Sequence, residues 1–91
     1  MKHSIYSATD SGQLFQESWN DSEVKSYIKN MMSNRGVKPY AFDVATRIHN
    51  KGEATEIDVI SKKTGKISQC YLAYMFGSFH CEPNNDDVFV A

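Results

Sequence analysis

Ninety-one residues are enough for one domain with one hydrophobic core and too few for two. Hydrophobic residues at 41% and aromatics at 12% exclude a disordered polymer, and no apolar run approaches the roughly 18 residues of a membrane span. The net charge of -1 conceals a segregation: residues 24–66 hold nine Lys or Arg against four Asp or Glu, residues 1–23 hold one against four, and residues 67–91 none against three.

The first six residues contain no apolar stretch of the signal-peptide kind, so the expected compartment is the cytoplasm. Cys70 and Cys81 are too few for a disulfide framework and form no Cys-x-x-Cys pair. A short helix is expected over 11–18, with Asp10 as its cap and Leu14, Phe15 and Ser18 on one face, although Gly12 disfavours it. A stronger helix is expected over 21–34. Asn20 followed by Glu23 forms a capping box, Asp21 and Glu23 place negative charge at the positive end of the dipole, and Val24, Tyr27, Ile28 and Met31 make one apolar stripe. Gly36 and Pro39 end it.

After Pro39 the period changes to two. Phe42, Val44, Thr46 and Ile48 alternate with polar positions up to a turn signal at 50–53, and Thr55, Ile57 and Val59 alternate up to a second turn at 62–66. A third strand is expected over 67–76, a fourth over 79–82 after a turn at Gly77-Ser78, and an edge strand at 88–90. Turns closing at Asn50/Glu53, Ser61/Lys66 and Phe76/Phe79 pair Val44 with Val59, Arg47 with Glu56, Ile57 with Cys70 and Tyr74 with Cys81. One face then collects Phe42, Val44, Ile48, Ile57, Val59, Cys70, Leu72, Tyr74, Phe76, Phe79 and Cys81 as the core. The expected fold is α+β: a single domain over 1–91, with one or two N-terminal helices packed on one face of a three- to five-stranded antiparallel β-meander.

The opposite face carries Arg47, His49, Tyr71, Met75 and His80, together with Glu56 and Asp58. Tyr, Arg and Met are the residue types of protein contact surfaces, and alternation keeps these out of the core. His49 beside Glu56 or Asp58 has the composition of an acid–base pair, but no nucleophile elbow or H-E-x-x-H accompanies it. The His and Cys spacings match no zinc signature, and no cofactor motif is present. Lys62, Lys63 and Lys66 share a hairpin tip, while Lys25, Lys29, Arg35 and Lys38 line the second helix and its exit, a pattern suited to phosphates. A helix followed by three antiparallel strands resembles part of the double-stranded-RNA-binding architecture, which would imply RNA as a partner. That family's last helix, with its basic N-terminus, has no counterpart in the acidic residues 77–91.

The expected function is therefore non-enzymatic binding to another protein, without a cofactor and without a membrane. Small domains of this kind are often inhibitors, antitoxins or anti-defence regulators of the sort that phages and other mobile elements carry. Nucleic-acid binding through the basic helix and hairpin ranks second, and a small hydrolase or nuclease at His49 third. Nothing in the sequence fixes the oligomeric state, a dimer included.

Overall fold

Asn20 caps a helix as its spacing from Glu23 requires. Its side chain accepts from the Glu23 N–H at 2.8 Å, while its own N–H donates to Glu23 Oε1 at 2.9 Å. In the computed structural model, which describes residues 2–9, 11–51 (backbone alone at Lys51) and 54–84, this helix is α1, Asp21–Ser33. It buries Val24, Ile28 and Met32. Tyr27, expected in the stripe, lies at its margin and donates its hydroxyl to Glu23. Gly36, at a φ of +85°, turns the chain out of the helix; its N–H and that of Val37 reach the Ser33 and Met32 carbonyls.

The expected helix over 11–18 is not formed. Those residues instead belong to a hairpin of β1 (Lys2–Ala8) and β2 (Leu14–Asn20), paired from Lys2↔Asn20 to Ala8↔Leu14. Phe15 and Trp19 are four apart, a spacing that satisfies a helix and a strand alike. Pairing with β1 decides for the strand, because it sets Trp19 beside His3 and Phe15 beside Ser7 and so turns both rings, with Ile5, into the core. Asp10, the expected cap, lies outside the described residues.

After a 3₁₀ turn at Pro39–Ala41 the chain forms the expected meander: β3 (Phe42–Lys51), β4 (Ala54–Ser61), β5 (Ile67–Met75) and β6 (Ser78–Pro83). The described strands make one six-stranded sheet, not three to five strands, with a single α-helix; the expected strand at 88–90 lies outside the described residues. The order is β2-β1-β4-β5-β6, with β3 on the other edge of β4. β4–β5 has the expected register, Ile57↔Cys70 and Thr55↔Leu72. β3–β4 has it only up to Val44↔Val59; a bulge between Val44 and Ile48 then sets Ile48 opposite Ile57 and His49 opposite Glu56. β5–β6 turns one step earlier than expected, at Phe76-Gly77, pairing Tyr74 with Phe79 and Leu72 with Cys81. Phe76, assigned to the core from its parity, is 94% exposed.

α1 touches both β3 and β6, so the meander curls round it. The β1–β2 hairpin closes the remaining core. Phe15 stacks on Tyr74 with centroids 3.8 Å apart, and Trp19 meets Tyr27 and Phe79 edge-on. Ser7 pairs with Ala54, one step beyond the last β4–β5 pair, and the buried Thr55 hydroxyl accepts from the Tyr6 N–H at 3.0 Å while donating to Asn50 at 2.9 Å. Cys70 and Cys81 are buried free thiols on neighbouring strands; a hydrogen bond between them, together with burial, pushes the Cys70 thiol up. Among the described residues no helix is long and apolar enough to cross a membrane.

Two predictions follow from this packing. Leu72, fully buried where β5 meets β4 and β6, should cost about 2–5 kcal/mol when replaced by Ala; a chemical-denaturation midpoint that does not move would remove this strand from the core. The N-terminal junction should be acid-sensitive. A hydrogen bond from His3 holds the Asp21 carboxyl below its usual range, and the Asn20 N–H followed by the Tyr27 hydroxyl does the same for Glu23. Groups depressed by folding stabilise the native state above their unfolded values, about 3.9 for Asp and 4.3 for Glu, and lose that contribution as pH falls through the native values. The melting temperature should therefore drop on acidification below about pH 4.5, and the pair Asp21→Asn and Glu23→Gln should flatten that slope. An unchanged slope would mean that these carboxylates do not couple to folding.

Candidate functional site

The outer face of the meander, opposite α1, has two parts, and strand register decides which residues fall in each. The first is polar and centres on Asp58, only 4% exposed although it points away from the core. Its Oδ1 accepts from His49 Nε2 at 2.9 Å and from Gln69 Nε2 at 3.1 Å, and Arg47 Nε lies 3.8 Å from Oδ2. A buried carboxylate needs such partners. The bulge in β3 supplies two of them, because it carries Arg47 away from its expected place opposite Glu56 and brings both Arg47 and His49 to Asp58. Glu56, now opposite His49, accepts from the Asn84 side chain at 2.7 Å. His49 therefore spends one ring nitrogen on Asp58, and its ring bonds no hydroxyl or thiol among the described residues. The cluster ties β3, β4 and β5 together on the solvent side. Among the described residues no three His, Cys, Asp or Glu side chains are placed to hold a metal ion.

The second part is apolar and lies toward the β5–β6 turn. Tyr71 is 41% exposed and Met75 38%, and both stand on the outer face of β5. His80, opposite Ala73, bonds the Met75 carbonyl at 3.1 Å. Phe76 continues this surface at the turn, edge-on to His80 with centroids 6.4 Å apart. Its φ of 54° and the 83° of Gly77 are both positive, the requirement of a two-residue type I′ turn. Glycine satisfies that requirement at the second position; phenylalanine at the first does so under strain. Between this turn and the β1–β2 connection runs a cleft of about 580 Å³. Ser7, Ala8, Thr9 and Ser11 form one wall, and Tyr71, Ala73, Met75 and Phe76 the other, with Tyr74 between them.

The outer face thus brings together all five residues singled out from the sequence. Arg47 and His49 are engaged on Asp58, Tyr71 and Met75 line the cleft, and His80 lies outside its lining, bonded to the Met75 carbonyl. Phe76 was missed. The signal for it was an X-Gly dipeptide between two alternating runs, which places glycine second in a primed turn. The gathering of Arg47 and His49 on Asp58 was hidden by the bulge.

The basic residues are divided. Lys29 Nζ donates to the Pro39 carbonyl at 3.1 Å and lies over the Phe42 ring, and the Lys62 N–H donates to the Ala41 carbonyl. Lys29, Lys38 and Lys62 accordingly gather round the 3₁₀ turn, with Lys63 and Lys66 on the same hairpin tip as Lys62. Lys62 Nζ also approaches Asp43 at 3.7 Å. Arg35 faces the other way, toward Glu82 on β6 at 3.5 Å. Lys25 is exposed on the first half of α1. Comparison with protein-family models, with curated proteins and with solved structures gives no match.

Proposed function

We propose that this protein is a non-enzymatic binding domain, an inhibitor or regulator that recognises another protein through Tyr71, Met75 and Phe76 at the cleft. Phe76 carries the reading. It is disfavoured twice, once by a left-handed backbone that asparagine or glycine adopts more readily and once by an aromatic ring left 94% exposed. Backbone strain of this kind gathers at ligand clamps and switch regions. A partner that buries the ring would offset both costs. Tyr71 and Met75 extend the same surface, and neither is used by the core.

The experiment replaces Phe76 with Asn, a residue suited to the turn. The variant should be more stable by about 1 kcal/mol, since the left-handed penalty falls, and should lose the protein that the wild type captures from its native host. Replacing Lys62, Lys63 and Lys66 with Gln should leave that capture intact. Recovery of the same protein by Phe76→Asn would contradict the reading. Recovery of nucleic acid that the lysine variant fails to hold, with steep salt dependence, would favour the phosphate-binding alternative.

A further inference from the structure

Cys70 and Cys81 take no part in the cleft, yet they stand together in the core. Register sets Cys81 opposite Leu72 and Cys70 opposite Pro83, so the two cysteines are diagonal neighbours on the inner face of β5 and β6. They are 0% and 1% exposed, and their thiols hydrogen-bond each other. Diagonal neighbours stand about 7 Å apart, with Cβ atoms somewhat closer, whereas a disulfide needs Cβ atoms at about 3.5–4.5 Å. The register is therefore too wide for a sulfur–sulfur bond. An ion between the sulfurs spans it, because each metal–thiolate bond adds about 2.3 Å. Two such bonds in a trigonal arrangement hold the sulfurs about 4 Å apart, close to where hydrogen-bonded thiols stand. Cys81 also lines a cavity of about 220 Å³ between the end of α1 and β6. Met31 lines it too and packs against the core that holds both cysteines, which brings a thioether to the thiol pair. His80 shares the cavity wall, but alternation turns its ring to the outer face, where it bonds the Met75 carbonyl.

We propose that Cys70, Cys81 and Met31 form a binding site for a soft monovalent cation, Cu(I). Thiolate and thioether donors select Cu(I) over harder ions. Zinc takes four donors, and among the described residues no three His, Cys, Asp or Glu side chains are placed to hold it. Binding is a ligand exchange without redox. One Cu(I) displaces both thiol protons to solvent, two copper–sulfur bonds form, and the Met31 thioether adds a neutral third. The product carries one net negative charge. Burial and the Cys81 hydrogen bond hold Cys70 protonated in the metal-free chain, while the Arg35 charge draws it toward the thiolate. Arg35 stands on the cavity wall and also approaches Glu82 at 3.5 Å. The cavity gives the ion a way in to Cys81, and Cys70 lies directly behind. An ion there would tie α1 to β5 and β6, at a place separate from the protein-binding cleft.

The test titrates the reduced full chain with Cu(I), without oxygen, in competition with bicinchoninate. One ion per chain should be taken up, with a sulfur-to-copper charge-transfer band in the ultraviolet and a rise in melting temperature. Because two protons leave, the apparent affinity should grow about hundredfold for each pH unit below the thiol ionisations. Cys81→Ser should abolish uptake. Met31→Leu conserves volume at the margin of the core. It should keep the metal-free melting temperature and weaken binding by at least the roughly tenfold that loss of even an outer partner costs a metal site. That variant decides the matter should Cys81→Ser fail to fold. No uptake against bicinchoninate, two chains per ion, a one-proton dependence, uptake that Met31→Leu leaves unchanged, or ready closure of a Cys70–Cys81 disulfide by glutathione disulfide in the native chain would each overturn the proposal.

Discussion

The stacking of Phe15 on Tyr74 is the contact on which the rest of this structure depends. A four-stranded meander with one helix leaves part of its inner face uncovered, and here the N-terminal hairpin covers it. Phe15 and Trp19 reach across from β2 to Tyr74 and Phe79 on β5 and β6, and Ile5 is fully buried in the same core. With the hairpin seated, Ser7 pairs with Ala54 just where β5 has left β4. The β1–β2 connection then stands beside the end of β5, and the gap between them is the cleft. Core closure and candidate binding surface are two sides of one contact.

β4 is the hub through which the two sides communicate. Its inward residues Thr55, Ile57 and Val59 are buried in the core or bonded to β1, and its outward Asp58 gathers Arg47, His49 and Gln69. The β3 bulge makes that gathering geometrically feasible. The outer face therefore divides into a polar part that holds strands together and an apolar part that the fold does not need. Phe76 belongs wholly to the second, which is why its cost in local stability points toward a partner and not toward packing.

Much of the fold is legible in the sequence, and the errors of register share one cause. The capping box at Asn20 and Glu23 is local, so α1 is readable directly. Strand faces are readable from alternation, and the β4–β5 register from its turn. Alternation has a period of two, however, and cannot detect a slip of two. The bulge between Val44 and Ile48 and the earlier turn at Phe76-Gly77 are both such slips: every other strand residue keeps its face while its partner changes. That is how Arg47 and His49 came to the right face beside the wrong neighbours, and how Phe76 came to be placed inside. The N-terminal hairpin was hidden for another reason. Phe15 and Trp19 satisfy helical spacing as well as they do a strand, and only the distant rings of Tyr74 and Phe79 distinguish the two.

The N-terminal hairpin thus determines both the closed core and the cleft, and a double-mutant cycle between Phe15 and Tyr74 tests it most directly. Each residue is replaced by Leu, singly and together, and unfolding free energies are measured in denaturant. For stacked rings the double variant should lose about 0.5–1.5 kcal/mol less than the sum of the single losses. Losses that simply add would mean that residues 14–20 do not lie on β5, and that the hairpin, the closed core and the cleft are all misplaced.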